Sequence, residues 1–325
     1  MGKFAKLNNR KNSGLSFKDR VKEYSIFLIL LFMIILSSIF IPNFRSTDNI
    51  INIIRQVSAL AIVGFGQFFC IVSGGLDLSQ GTTIGLASVL IAGFVYYGNL
   101  STPLSIIIAL AICMLIGLIN GVLIVYAKVN PFIATLSTMT IIKGVNFLYS
   151  RGLPISGLPD AFSFIGRGYI WLIPFPIILL ITLAIIVHIF STQIATGRSI
   201  FAIGGNEEAS KLSGLNINKV KVLVYVISGL FAGIAAVIIT SRIMAGQPTV
   251  GEPMLFDIIT AVILGGTSLS GGKGKVLGVV AAALILGLLS NAMVLLRINT
   301  YWQWIIKGIV LVIAVVIDAR SQREQ

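Results

Sequence analysis

Ile71-Val72-Ser73-Gly74-Gly75-Leu76-Asp77-Leu78-Ser79-Gln80-Gly81 is a polar, glycine-bearing interruption in a chain that is otherwise apolar from 57 to 98. A second interruption, Gly265-Gly266-Thr267-Ser268-Leu269-Ser270-Gly271-Gly272-Lys273-Gly274, divides the apolar stretch from 256 to 296. Written in register, Ile71 to Ser79 lies over Val262 to Ser270 at an offset of 191 residues, with apolar segments on both sides. An internal duplication is the simplest account. Glycine-interrupted apolar segments at corresponding places in two halves point to a transport path.

The surrounding composition sets the environment. Of 325 residues, 56% are hydrophobic and 11% charged, and the mean hydropathy is +0.99, far from soluble proteins. Unpaired backbone groups are costly in hydrocarbon, and the dyad alternation of a membrane barrel is missing, so the apolar runs must be helices. The expected fold class is all-α: a polytopic membrane protein with about ten transmembrane helices in two pseudo-repeated halves. The first span is the run Tyr24 to Ile41; it is long and no small-x-small cleavage signal follows it before Pro42-Asn43-Phe44, which argues against a signal peptide. The others fall near 57–72, 82–98, 104–126, 132–149, 170–190, 220–241, 256–270, 276–296 and 302–318, each close to membrane length. This count makes the halves parallel, and one miscounted span would make them inverted.

A net charge of +13 would suggest nucleic acid in a soluble protein, but here the basic residues sit at the ends of apolar blocks and serve topology. With the N-terminus inside, the inner segments carry 16 basic residues and the outer ones 6: Arg45, Arg55, Arg151, Arg167, Arg242 and Arg297. That ratio gives an N-in, C-in arrangement. The divisions are a basic cytosolic tail over 1–23, a membrane domain over 24–318 with a cytosolic loop at 191–219, and a cytosolic tail over 319–325. No nucleic-acid site is read.

Within that loop lies a polar island from Gly197 to Leu215. Gly204-Gly205 reads as a flexible turn, Asn206 as an N-cap, Glu207 and Glu208 as first-turn acids and Gly214 as a C′ stop. Glu207 and Lys211 have i, i+4 spacing, and Ala209 and Leu212 offer a small apolar contact. A helix of about two turns is not stable alone in water. It needs the rest of the protein or a partner's groove to hold it.

Few residues could carry chemistry. Asp77 is the one acid in the first break. It either lies near a path as an intramembrane carboxylate or opens the next helix through a capping box with Gln80, and the two are compatible. Ser268 occupies the matching place in the second break at the offset of 191. Thr135 and Thr138, on the helix opened by Asn130-Pro131, either bond back to helices or contribute a polar lining, as do Gln67, Asn120 and Asn146. Amides and hydroxyls with few charges suit a neutral polar solute better than an ion. Cys70 and Cys113 fall inside apolar segments as packing residues, and the single His188 cannot build a metal or triad site. There is no phosphate-binding loop, no His-Glu-x-x-His and no Gly-x-Ser-x-Gly, so catalysis within the chain is not expected.

Gly74 to Gly81, Pro131-Phe132-Ile133-Ala134-Thr135-Leu136, Gly204-Gly205-Asn206-Glu207-Glu208-Ala209 with Leu212-Ser213-Gly214, and Ala261 to Gly274 together resemble the permease subunits of bacterial ABC importers for monosaccharides. Gln247-Pro248-Thr249 followed by Glu252 and Asp257 looks like the ribose-type members. The resemblance implies a second permease copy, two cytosolic ATP-binding subunits that hold ATP and Mg, an extracytoplasmic sugar-binding protein and a bacterial cytoplasmic membrane; this chain itself would bind no cofactor. It makes Gly204, Gly205, Asn206, Glu207, Glu208, Ala209, Lys211, Leu212 and Gly214 the coupling helix seated in the ATPase. The two breaks and the hydroxyl-bearing helix start make Gly74, Gly75, Asp77, Ser79, Thr135, Thr138, Gly265, Gly266, Ser268 and Ser270 the candidates for the translocation path or its gate. A secondary carrier is the competing reading, with Asp77, Lys143, Asp257 and Lys307 as the in-span candidates for ion coupling; a membrane scaffold without transport is a further one.

Overall fold

The computed structural model of the protein describes residues 17–323; the first sixteen residues of the expected basic tail and the last two residues of the chain lie outside them. Helix α1 (Phe17–Phe40) begins before the expected span and takes in Lys18, Arg20 and Lys22. It is followed by α2 (Thr47–Val72), α3 (Gln80–Tyr96), α4 (Thr102–Val125) and α5 (Pro131–Ser150). A 3-10 turn at Asp160–Phe162 leads into the short α6 (Ser163–Arg167), then β1 (Tyr169–Ile170) and β2 (Ile173–Pro174) form a two-residue antiparallel hairpin. The span expected from 170 therefore starts later, as α7 (Phe175–Gln193), because Trp171 turns the chain at φ 58°. Next come α8 (Ala195–Gly205), α9 (Glu207–Leu212), α10 (Ile217–Ile243), α11 (Leu255–Leu264), α12 (Val276–Leu295) and α13 (Thr300–Arg323). The expected C-terminal tail continues α13 as far as Arg323.

An all-α membrane architecture is thus present, the hairpin aside. Among the described residues, seven helices are long and apolar enough to cross a membrane: α2, α4, α5, α7, α10, α12 and α13. The apolar part of α1, Ile26–Phe40, and α3 are shorter. Helix α11 is only ten residues long, about 15 Å, and cannot be the fifteen-residue span expected at 256–270. The core sits around α2, whose residues from Val57 to Val72 are all buried, against α10, α11 and α12. By contrast α4, α5, α7 and α13 turn mostly exposed apolar side chains outward, as lipid-facing helices do.

Small residues set the closest approaches. A methyl added at Gly117, Gly121 or Gly229 would strike the facing backbone of the α4–α10 pair. Tight backbone contact of this kind holds helices together where lipid removes the hydrophobic drive. The basic groups separate cleanly along the bundle. Arg55, Arg167 and Arg242 cluster at one end, the Arg55 guanidinium donating to the Arg167 carbonyl and Arg167 Nε to the Arg242 carbonyl. Lys273, Lys275 and the α8–α9 segment lie at the other, where the Gly272 amide meets the Val72 carbonyl beside Gly204.

Candidate functional site

Both glycine breaks are built from one local device. Helix α2 ends with Gly74 at φ 82°, Gly74 N–H donating to Ile71 O and Gly75 N–H to Cys70 O. Helix α11 ends with Gly266 at φ 84°, its N–H donating to Ile263 O while Thr267 N–H reaches Val262 O. These are two Schellman caps, and each needs a residue that tolerates the left-handed region. Superposing the caps pairs Gly74 with Gly266, an offset of 192, not the 191 that maximises glycine matches. Asp77 therefore corresponds to Leu269 and not to Ser268. Helices α2 and α11 run the same way, since both breaks meet at one end of the bundle through the bond from Gly272 N–H to Val72 O at 2.8 Å.

Beyond the caps the breaks diverge. After α11 the chain makes a surface turn, with Ser268 N–H on Lys273 O and Ser270 N–H on Ser268 Oγ, and Ser270 is exposed. After α2 it folds back into the bundle. Gln80, the first residue of α3, extends its amide toward Val63 O, nine residues and about 13 Å up α2 from Val72. The residues between, 73–79, thus form the inner part of a discontinuous span.

A second discontinuous span faces it. From the end of α10, residues 245–254 run back along α3: Gly246 pairs with Ile155, Gln247 N–H donates to Ser88 Oγ at 3.1 Å, and Pro248 O accepts from Asn146 Nδ2 at 3.1 Å. Gly251 then packs on Gly81, so that α11 starts beside the start of α3. The seventeen-residue α3 and the ten-residue α11 therefore have their N-termini together inside the bundle, an arrangement that places polar backbone where it lines protein and not lipid.

At that meeting point lies a buried hydrogen-bond knot centred on Asp77, which is 2% exposed. Thr138 Oγ1 donates to Asn120 Oδ1 (2.6 Å), Asn120 Nδ2 to Ser79 Oγ (3.0 Å) and Ser79 Oγ to Asp77 Oδ1 (2.6 Å). From the other side Gln80 Nε2 donates to Ser228 Oγ (2.8 Å), and Ser228 Oγ to Asp77 Oδ2 (2.6 Å). Ser79 N–H adds a third donor at 2.9 Å. Two chains of donors converge on a group that only accepts, which is the inventory of a carboxylate. The expected capping box is not formed: Asp77 does receive the Ser79 amide, but Gln80 is spent on Ser228 instead of reaching back. Ser228 sits in an apolar helix and was invisible as a partner in the sequence; only its hydroxyl amid apolar neighbours set it apart.

Of the path residues expected from the sequence, Asp77, Ser79 and Thr138 are drawn into this knot. Thr135 lies close by, donating to Pro131 O at 2.8 Å and reaching Leu76 O at 3.4 Å. Gly75 lies under the Tyr225 hydroxyl, and Gly74 faces open space. Gly265 packs on α12, while Gly266, Ser268 and Ser270 stay at the surface turn, away from the knot. The other in-span ionisable groups are paired: Lys143 with Glu252 at 2.9 Å and Lys307 with Asp257 at 2.6 Å. Both pairs clamp the second discontinuous span, one at its 3-10 turn and one on α11.

The polar island takes the expected helical form with different partners. Asn206 Oδ1 accepts from Ala209 N–H at 2.9 Å, and Gly214, at φ 81°, closes α9 through another Schellman cap. Gly204-Gly205 is no flexible turn: both residues are the last of α8. A methyl on Gly204 would strike the Val72 carbonyl and the Gly272 amide, so the end of α8 rests on both breaks at once. Glu207 pairs with Lys221 on α10, not with Lys211, because α9 lies against the start of α10. Ala209 is exposed and Leu212 is 89% exposed, so the anticipated contact between them shields little. Glu208 and Lys211 are also on the open side.

Comparison with known proteins agrees with this geometry. Residues 49–315 match the family described as branched-chain amino acid transport system / permease component. The chain is 41% identical over 309 residues to the ribose import permease protein of Bacillus subtilis, covering 94% of this chain and 96% of that one. It is 43% identical over 303 residues to the ribose import permease protein of Haemophilus influenzae, at 91% and 93% coverage. A galactose/methyl galactoside import permease protein of Escherichia coli is 36% identical over 322 residues, at 94% and 96%. No solved structure matches the chain. The chain is a multi-pass membrane permease and belongs to the branched-chain amino acid transport system / permease component family.

Proposed function

We propose that this chain is the membrane permease subunit of an ATP-driven importer that forms the translocation path for a monosaccharide, most favourably ribose, in the bacterial cell membrane. Its relatives are named as import permeases for ribose, galactose and L-arabinose, which makes the cargo a sugar. The observation that carries the mechanism is the seat of Gly204 on both Val72 and Gly272. A short helix whose outward face is open, α9, is joined through α8 to the two places where the bundle is discontinuous. ATP and Mg belong to separate cytosolic subunits that grip α9, in the helix-in-groove manner. The excess of basic residues at the α8–α9 end makes that end cytoplasmic, with both termini inside. A second copy of this chain and an extracytoplasmic sugar-binding protein complete the assembly. Gly74, Gly75, Asp77, Ser79, Thr135, Thr138, Gly265, Gly266, Ser268 and Ser270 then belong to the gate region, the knot holding it shut until α8 moves.

The ion-coupled carrier is disfavoured by pairing. Lys143 pairs with Glu252, Lys307 with Asp257 and Asp77 with its hydroxyls, and no relay joins the three places. The deciding experiment is ATPase-subunit pull-down and ATP-dependent uptake of labelled ribose in the reconstituted complex, for wild type and for Glu207→Lys with Leu212→Asp. Loss of both with the protein still folded supports the importer. Uptake that persists without any ATPase overturns it.

A further inference from the structure

A cavity of about 170 Å³ lies in the half of the bundle away from α8 and α9. Its walls come from α2, α10, α12 and the second discontinuous span. Gln56, Arg242, Asp257 and Ser290 supply an amide, a guanidinium, a carboxylate and a hydroxyl, while Leu60 and Met254 supply an aliphatic side. Arg242, from the basic cluster at this end of the bundle, and Asp257, on α11, thus face one cavity, and ionisable groups set among apolar helices mark candidate solute contacts. Asp257 is held by Lys307 at 2.6 Å, so its place in the wall is fixed from behind.

We propose that this cavity is a monosaccharide subsite within the permease, occupied before the Asp77 knot opens. The inference rests on the importer reading. A guanidinium and a carboxylate form charge-assisted hydrogen bonds to neighbouring hydroxyls, and the amide and Ser290 can each donate or accept. The aliphatic wall receives the C–H face of the ring. Size limits the class: about 170 Å³ is a little above the roughly 150 Å³ that admits a benzene ring, and the cavity is open on one side, so it takes at most one sugar ring with part of it in the mouth. Pockets for larger ligands start near 300 Å³, which excludes a disaccharide. Because Met254 and Asp257 flank the start of α11, a bound sugar touches the element that must shift for passage.

The test uses full-length permease in nanodiscs with its ATPase subunits, carrying Ser290→Cys. Cys70 and Cys113 are fully buried, so a small water-soluble thiol reagent reports on position 290. Ribose is expected to slow labelling several-fold and sucrose to leave it unchanged. Adding Arg242→Gln is expected to remove the protection, read as the ratio of rates with and without ribose in each variant, because loss of the guanidinium also slows the thiol itself. Equilibrium binding of labelled ribose to the unmodified complex provides the same reading without a cysteine. Absence of protection and of binding in a complex that still imports ribose with ATP overturns the subsite and leaves the importer standing. Protection without ATP-driven uptake keeps the subsite and overturns the importer.

Discussion

Removing the Ser228 hydroxyl tests whether the Asp77 knot is held by its charge. Ser228→Ala deletes the donor at 2.6 Å from Asp77 Oδ2 and strips Gln80 Nε2 of its acceptor at 2.8 Å. A hydrogen bond to a charged group contributes about 1.5–3 kcal/mol and a neutral one about 1 kcal/mol, so the single change should cost roughly 2–4 kcal/mol. Asp77→Asn gives the second side of a cycle. An amide offers one acceptor oxygen where donors arrive on both sides, and its nitrogen confronts a hydroxyl that already accepts from Gln80. Combining the two changes isolates the pair, and the interaction energy should be at least about 1.5 kcal/mol. Ordinary interhelical hydrogen bonds in membrane proteins average only about 0.6 kcal/mol by the same method, so the two cases are separable. The measurement is denaturant unfolding of the purified permease in mixed micelles for wild type, both singles and the double. A pair energy at or below the ordinary value would falsify the argument that a carboxylate organises this knot.

Further substitutions probe other contacts. Gly204→Val drives a branched side chain into the Val72 carbonyl and the Gly272 amide, and overpacking of that kind costs about 1–3 kcal/mol; a thermal midpoint equal to wild type in detergent would show that α8 does not rest on the breaks. Lys307→Met leaves Asp257 without its cation and should destabilise the fold by about 3–5 kcal/mol, whereas adding Asp257→Leu should recover most of that; a double variant as unstable as the single contradicts the pairing. Gly74→Ala and Gly266→Ala meet no neighbour, so each should cost only the left-handed backbone penalty of about 1–2 kcal/mol, and equally. Gly205→Ala, in helical geometry with open space around it, is the control and should be neutral or stabilising in the same unfolding assay.

What could be read from the sequence was whatever local chemistry dictates. Apolar length announced the helices, Asn206 and Gly214 announced the ends of α9, and the paired glycines announced two interrupted segments. What could not be read were the partners. Glu207 had two lysines within reach of a short helix, and only the placement of α9 against α10 selects Lys221 over Lys211. The register of the repeat slipped by one because the offset of 191 pairs both glycines, while only one glycine of each pair, Gly74 and Gly266, is left-handed, and those two set the offset of 192. The half-span at 245–254 was hidden for a related reason. A run of turns packed along a helix has no periodicity, and Gln247-Pro248-Thr249 is without a regular pattern until Ser88 and Asn146 are seen to satisfy its backbone.

The placement of α8 and α10 explains how a change outside the bundle reaches its centre. Helix α9 is tied to the start of α10 by the Glu207–Lys221 pair, and α10 carries Ser228 to Asp77. Through α8, Gly204 bears on the last carbonyl of α2 and on the turn that follows α11, and each of those helices borders one discontinuous span. The α8 route is made of helices and backbone contacts, whereas the α9 route passes through the side chains of Glu207 and Lys221. Packed elements of this kind shift as bodies, and a bundle joined in this way has discrete arrangements in preference to a graded response. The polar knot is where the two routes meet, the first through Ser228 on α10 and the second through the break that follows α2. On the proposed mechanism a displacement of α8 or α9 is felt at Asp77, which gives a buried carboxylate a use in a permease.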